Sequence, residues 1–184
     1  ITLTGDQLIF NEVSDMARVT GRKVVLSDGN MTLTTTALDY DIKNNTGSYF
    51  EKGEIISADN NLTSTIGYYY ASSKSLFFKD SVVLVNPRYT MRGDTLKYAV
   101  NTERAFFFGP TFIEADSNLI YCENGWYDTK NDVSRFGKNA YLQNESQFLY
   151  DRFAYRFRCQ DLPQDLKMHY HKLLNLKEPN LTRK

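Results

Sequence analysis

Apolar and polar residues alternate along most of this chain, and polar turns break the alternation at regular intervals. Leu8-Ile9-Phe10-Asn11 closes the first such segment. Leu38-Asp39-Tyr40-Asp41, Tyr68-Tyr69-Tyr70-Ala71, Leu96-Lys97-Tyr98-Ala99, Trp126-Tyr127-Asp128 and Leu149-Tyr150-Asp151 close the later ones. The closing aromatics stand at 10, 40, 70, 98, 127 and 150, in steps of 30, 30, 28, 29 and 23 residues. A period of this size predicts a stacked-repeat architecture, in which neighbouring units bury one another's apolar faces.

The stretch after each aromatic is also repeated. A polar turn comes first, as in Glu12-Val13-Ser14-Asp15, Lys43-Asn44-Asn45-Thr46 and Asn101-Thr102-Glu103. A β-rich segment comes next, such as Leu76-Phe77-Phe78 or Ala105-Phe106-Phe107-Phe108. A second turn is expected at Gly21, Gly53, Asp80, Gly109 and Gly137, which lie 11, 13, 10, 11 and 10 residues past the aromatic. A third strand succeeds it, as in Val24-Val25-Leu26 or Val82-Val83-Leu84-Val85. Many units add a fourth, Thr- or Tyr-rich piece such as Met31 to Thr36. Strands spaced at about 8–12 residues, with Gly, Asn and Asp between them, predict an all-β fold. Gly and Asn tolerate the positive φ of tight connections. Alternation gives each strand one core face and one wet face, so Lys97 between Leu96 and Tyr98 is expected to face solvent.

With 184 residues the chain is long enough for a sizeable core. Aromatics are abundant: 13 Tyr and 12 Phe stand against a single Trp. β-propensity accounts for such usage in any strand-rich chain; a sheet interior that grips acyl chains or sugars is the sharper reading. Lys plus Arg equals Asp plus Glu at 22 each, which argues against nucleic acid as a partner and gives no general attraction to anionic membranes. No apolar run is long enough to span a bilayer as a helix. The sequence opens on Ile1 inside a strand-like segment with no signal peptide. It reads as a trimmed mature protein, for which that absence says nothing about export.

Candidate chemistry is sparse. His169 and His171 sit two apart in the tail with no ligand cluster around them, so neither metal nor cofactor is expected. There is no phosphate-binding Gly loop and no Gly-x-Ser-x-Gly elbow. Glu114 and Asp116 share a strand face and could mimic a glycosidase pair, though carboxylates so spaced are usually solvated. Cys122 and Cys159 are the only cysteines, and suit either one disulfide or two free thiols. The repeat stops near Ala154. Leu162, Leu166, Leu173 and Leu174 have helical spacing, with Asp161 and Pro163 placed to start a helix. The tail, 154–184, is therefore a capping helix, a docking segment or disordered, and 1–153 is the repeat domain.

The repeat itself carries a resemblance. Gly93-Asp94-Thr95-Leu96-Lys97-Tyr98, then Asn101-Thr102-Glu103-Arg104-Ala105 and Gly109, resembles the repeat of the OstA-like family. Gly5-Asp6-Gln7-Leu8-Ile9-Phe10 through Ala17 and Gly21 looks like the same unit, whereas copies two and three lack the Gly-Asp opening. The resemblance covers roughly residues 3 to 153. It implies a periplasmic, non-catalytic protein of lipopolysaccharide transport in Gram-negative bacteria. The implied fold is a β-jellyroll of short antiparallel strands, open along one side. Its apolar groove would hold lipopolysaccharide acyl chains. The implied partners are lipopolysaccharide, other jellyroll components of the transport bridge, and further copies joined head to tail by strand pairing.

Alternation then nominates groove residues: Leu8, Phe10, Val24, Leu26, Leu38, Tyr40, Tyr68, Tyr70, Val82, Leu84, Leu96, Tyr98, Phe106 and Phe108. The same residues would equally suit a closed, dry core. A glycan-binding or adhesive β-repeat module is the alternative function, and it would turn its aromatics outward as stacking platforms. A β-helix enzyme with acids on one sheet is a third.

Overall fold

The computed structural model describes residues 2–115, 118–144 and 147–150. The strands are β1 (Thr2–Thr4), β2 (Gln7–Asn11), β3 (Met16–Ser27), β4 (Met31–Asp41), β5 (Thr46–Tyr49), β6 (Gly53–Ser57), β7 (Asn60–Ser64) and β8 (Ile66–Tyr70). Then come β9 (Ser75–Val85), β10 (Thr90–Ala99), β11 (Arg104–Ala115), β12 (Asn118–Asp128), β13 (Val133–Gly137), β14 (Tyr141–Asn144) and β15 (Gln147–Tyr150). All pair antiparallel within one fifteen-stranded sheet, and the fold is an all-β jellyroll.

The polar turns after the aromatics are hairpins of one kind. Their last residues, Asp15, Asn45, Lys74, Glu103 and Asp132, are left-handed at φ 54°, 50°, 45°, 52° and 57°. These five fall 30, 29, 29 and 29 residues apart, a stricter period than that of the closing aromatics. Each hairpin also rests on the one before it. The carbonyls of Asp15, Asn45, Lys74 and Glu103 accept from the N–H groups of Ile42, Ala71, Val100 and Thr129 at 2.9–3.0 Å. The Asn or Asp after the aromatic has a local cause. Asn11 Oδ1 accepts from Val13 N–H (2.9 Å), Asp41 from Asn44 (2.9 Å) and Asp128 from Asn131 (3.0 Å), each pinning the first bend of its turn.

The second turn expected at Gly21, Asp80 and Gly109 is not a reversal. β3, β9 and β11 run straight through these points for 12, 11 and 12 residues. A bulge occurs there instead: the register slips between Thr20 and Val24 and between Phe108 and Thr111. Such a bulge bends a strand without ending it. Elsewhere the chain is cut at this line, between β1 and β2, β5 and β6, β7 and β8, and β13 and β14. Gly53 begins β6 there, and Gly137 ends β13 ahead of Lys138 and Asn139, at φ 59° and 60°. At the Gly-Asp opening, Asp6 accepts from Arg22 N–H at 2.9 Å. In copy two, which lacks that opening, the Thr36 hydroxyl instead donates to the Glu51 carboxylate.

Because the bulges line up, they crease the sheet into two facing halves. Half-sheet I holds β2, 16–20, 37–41, β5, β8, 75–79, 95–99, 104–108, 124–128 and β13. Half-sheet II holds β1, 24–27, 31–35, β6, β7, 82–85, 90–93, 111–115, 118–122, β14 and β15. One core fills the space between them. Val19, Leu38, Tyr49, Phe78, Leu96 and Phe107 come from I; Val24, Leu33, Ile55, Val82, Met91 and Ile113 come from II. The sheet does not close on itself: among the described residues, β1 and β2 at one end and β13 and β15 at the other pair on one side only. Cys122 is a free thiol buried in this core, and burial pushes it up to about 12. Cys159, Asp116, both histidines and the expected helix lie outside the described residues.

Candidate functional site

Registers show which side chains share a face, because directly paired residues in a sheet project the same way. On half-sheet I the inward row nearest the hairpins reads Phe10, Ala17, Tyr40, Gly47, Tyr69, Leu76, Tyr98, Ala105 and Tyr127. Large rings alternate with mostly small neighbours, so each ring has room to lie over the next strand. The row behind it reads Tyr49, Gly67, Phe78, Leu96, Phe107, Gly125 and Phe136. Here glycine is required. A Cβ on Gly67 would stand 2.2 Å from Tyr49 Cε1, and one on Gly53 would stand 2.4 Å from its Cζ. The Tyr49 hydroxyl is hydrogen-bonded to Ser64 Oγ at 2.6 Å, and burial raises its pKa.

Between the halves lies an apolar cavity of about 20 Å³, lined among others by Leu26, Met31, Leu33, Tyr49, Ile55 and Phe78. That is room for about one water molecule. The interior is therefore packed, and a larger guest requires the half-sheets to part. They are joined at the crease; their hairpin tips form the opposite lip. Contacts cross that lip at the β9–β10 tip. Arg88, at the β9–β10 tip of half-sheet II, reaches Asp132 (3.7 Å) and the Tyr127 hydroxyl (3.4 Å) of half-sheet I. Tyr127 donates to Asp132 at 2.5 Å and meets Tyr89 edge to face with centroids 6.1 Å apart. Burial, then the Asp132 carboxylate, holds the Tyr127 phenol up at about 12.

The nominated residues separate into three groups. Val24, Leu26, Leu38, Val82 and Leu96 are buried between the halves, with Tyr40, Leu84 and Tyr98 half-buried beside them. Leu8 and Phe10 share the inward parity but are 62% and 45% exposed, because β2 is an edge strand. Tyr68, Tyr70, Phe106 and Phe108 lie on the opposite, outer face, contrary to the parity expected of them. The physical reason is a one-residue slip. The hairpin period places Tyr69, not Tyr70, at the repeat's aromatic position, and a slip of one inverts a whole strand. In β11, Ala105 and Phe107 pair with the inward Tyr98 and Leu96, which sends Phe106 and Phe108 out. Lys97 faces outward as well, paired with Phe77 and Phe106. The alternation missed Tyr69, Phe78, Phe107 and Tyr127, and counting back five residues from each hairpin's last residue finds Tyr69 and Tyr127.

Among the described residues no helix is long and apolar enough to cross a membrane, and no group of three or more His, Cys, Asp or Glu is placed to hold a metal. The fold thus defines a creased, unclosed β-jellyroll with an apolar interior and a tyrosine-lined lip. This chain belongs to the OstA-like protein family, whose sequence profile matches residues 1–94. No curated protein matches it. Among solved structures it is similar to LptH, the LptA-homologous periplasmic component of the conserved lipopolysaccharide transport device from Pseudomonas aeruginosa. Identity is 16% over 74% of this chain and 81% of that one, with a TM-score of 0.31.

Proposed function

We propose that this protein is a non-catalytic periplasmic carrier that shields the acyl chains of lipopolysaccharide between its two half-sheets during transport to the outer membrane. The observation that carries the reading is the lip: a row of inward tyrosines, Tyr40, Tyr69, Tyr98 and Tyr127, leading into an apolar interior that is joined along one side only. Tyrosine suits such a margin, with an apolar ring toward the chains and a hydroxyl toward water. Each methylene moved from water into the interior is worth about 0.8 kcal/mol, so several chains bind without any chemistry on the lipid. Loading parts the half-sheets at the lip, and the Arg88 contact with Tyr127 and Asp132 is what must yield.

The ends support assembly into a bridge with other jellyroll components or further copies. Among the described residues β2 pairs on one side only, and Leu8, Ile9 and Phe10 on it are exposed. An exposed apolar edge is a template for strand addition. The repeat domain of this reading is 1–153, with 154–184 as an appended tail.

A photoreactive residue at Tyr98, and a control at Thr34 on the outer face of half-sheet II, tests the interior. Lipopolysaccharide adducts at position 98 and none at 34 are expected. Adducts at neither position in a folded protein, or equal adducts at both, would overturn the carrier reading.

A further inference from the structure

The outer face of half-sheet I carries a feature that an interior carrier does not need. Across six neighbouring strands, β8 to β13, the directly paired outward residues are Tyr68, Phe77, Lys97, Phe106, Trp126 and Arg135. Tyr70 and Phe50 extend the rings on one side, and Phe108 on the other. Phe50 and Phe108 are 54% and 41% exposed. Phe50 meets Tyr68 edge to face (5.7 Å), Tyr68 stacks on Tyr70 (6.3 Å), and Tyr70 meets Phe77 edge to face (6.0 Å).

Cations are set among these rings. Lys97 Nζ stands between Phe77 and Phe106, 5.3 and 5.9 Å from their centroids, and the Arg104 guanidinium lies 5.1 Å over Trp126. Lys79 and Arg135 complete the set. From β5 to β13 the only outward acid within a strand of this half-sheet is Asp128, already ion-paired with Arg104 at 3.1 Å. Lys97 has no carboxylate partner among the described residues.

We infer that this face docks the protein on an anionic phospholipid surface, with Lys97 held upright between two rings to meet a lipid phosphate. Charge complementarity is the first argument: among the described residues, the strands of this face from β5 to β13 carry cations without a carboxylate partner and a single acid that is already ion-paired, which suits an anionic headgroup layer. The rings are the second, since aromatic side chains mixed with Lys and Arg are the chemistry of the membrane–water boundary. A glycan fits less well. Sugars stack on open ring faces, and here those of Phe77, Phe106 and Trp126 carry cations, while Tyr68 and Tyr70 are engaged with each other and with Phe50 and Phe77. The inference is independent of the interior reading and does not require the half-sheets to part.

Co-sedimentation of the full chain with phosphatidylcholine vesicles, with and without phosphatidylglycerol, tests it. The expected result is binding to the anionic vesicles that weakens with salt, and little binding to the neutral ones. Lys97→Glu is expected to weaken binding about tenfold. Arg18→Glu makes the same charge change on the same half-sheet, away from the rings, and is expected to bind as the parent does. Phe108→Ser, which leaves the charge alone, also weakens it. Phospholipid captured by the interior would be indifferent to Lys97, so equal binding by the Lys97→Glu and Arg18→Glu proteins would overturn the proposal. So would absence of binding to anionic vesicles, or retention by a soluble acidic polysaccharide instead.

Discussion

Phe106 and Phe107 are neighbours in one strand, yet they belong to different environments. Phe107 faces the interior, is 4% exposed, and stacks on Phe136 across Gly125 with centroids 6.2 Å apart. Phe106 faces the other way and packs against Lys97. The same contrast holds along half-sheet I: inward rings lie beside Ala, Gly or Leu, and the outward rings of Phe77, Phe106 and Trp126 lie beside Lys and Arg. Aromatic content therefore does not announce a single task. Parity divides it into a set that fills space and a set that frames charge.

The sharpest test of this division is a matched pair of truncations. Phe107→Ala is expected to cost about 3–5 kcal/mol, because the site is closed and the vacated volume stays empty. Phe106→Ala is expected to cost at most about 1 kcal/mol, since solvent reaches the gap and a single cation–ring contact is lost. Urea midpoints of the two variants measure this. Equal losses would break the comparison and place both rings in one core.

A smaller effect separates two glycines of the inner face. Gly67→Ala forces a methyl into the Tyr49 ring and is expected to cost about 1–3 kcal/mol. In Gly47→Ala the new Cβ would meet Tyr40 at 3.5 Å, an ordinary contact, so this change is expected to be neutral or mildly stabilising. If Tyr49→Ser recovers part of the Gly67→Ala loss, the two positions are coupled through that ring.

The same geometry explains where the sequence was readable and where it was not. Period, β content and hairpins were legible because each hairpin carries its own local chemistry: Asn11, Asp41 and Asp128 bond their turns within three residues. The creases were misread as reversals. Gly21 and Gly109 look like turn residues, but the bonds that define a crease join distant segments, as Asp6 N–H to the Thr20 carbonyl does at 3.0 Å. The run Tyr68-Tyr69-Tyr70 offers no parity of its own, and only the hairpin spacing selects Tyr69 as inward. Core and groove were not separable by pattern either, since both want apolar side chains at the same positions. The outer cation–ring array was invisible because Lys97 is remote in sequence from the ring at 77, and Arg104 from the ring at 126.

At the lip, between the two faces, Arg88→Ala removes an exposed ion pair and is expected to change stability by less than about 1 kcal/mol. Its larger effect is kinetic: lipopolysaccharide uptake is expected to be faster, read as the rate of protection of a fluorescent acyl probe. An unchanged rate would mean that loading does not pass through that contact.

The hairpins serve both faces equally, so a change there should disturb neither parity set. Asp41 makes the point through pH. Hydrogen bonds from the Asn44 side chain and backbone, and the nearby Lys43 charge, hold its pKa below the usual 3.8. A lowered folded-state value means the carboxylate contributes stability above the ordinary carboxylate range and loses it as pH falls through the lowered value. Asn11 makes the equivalent turn bonds without a charge. Asp41→Asn is therefore expected to keep the turn, leave neutral-pH stability nearly unchanged, and reduce the acid sensitivity of the urea midpoint. Acid sensitivity equal to the parent's would show that the Asn44 and Lys43 contacts do not hold the charged form in solution.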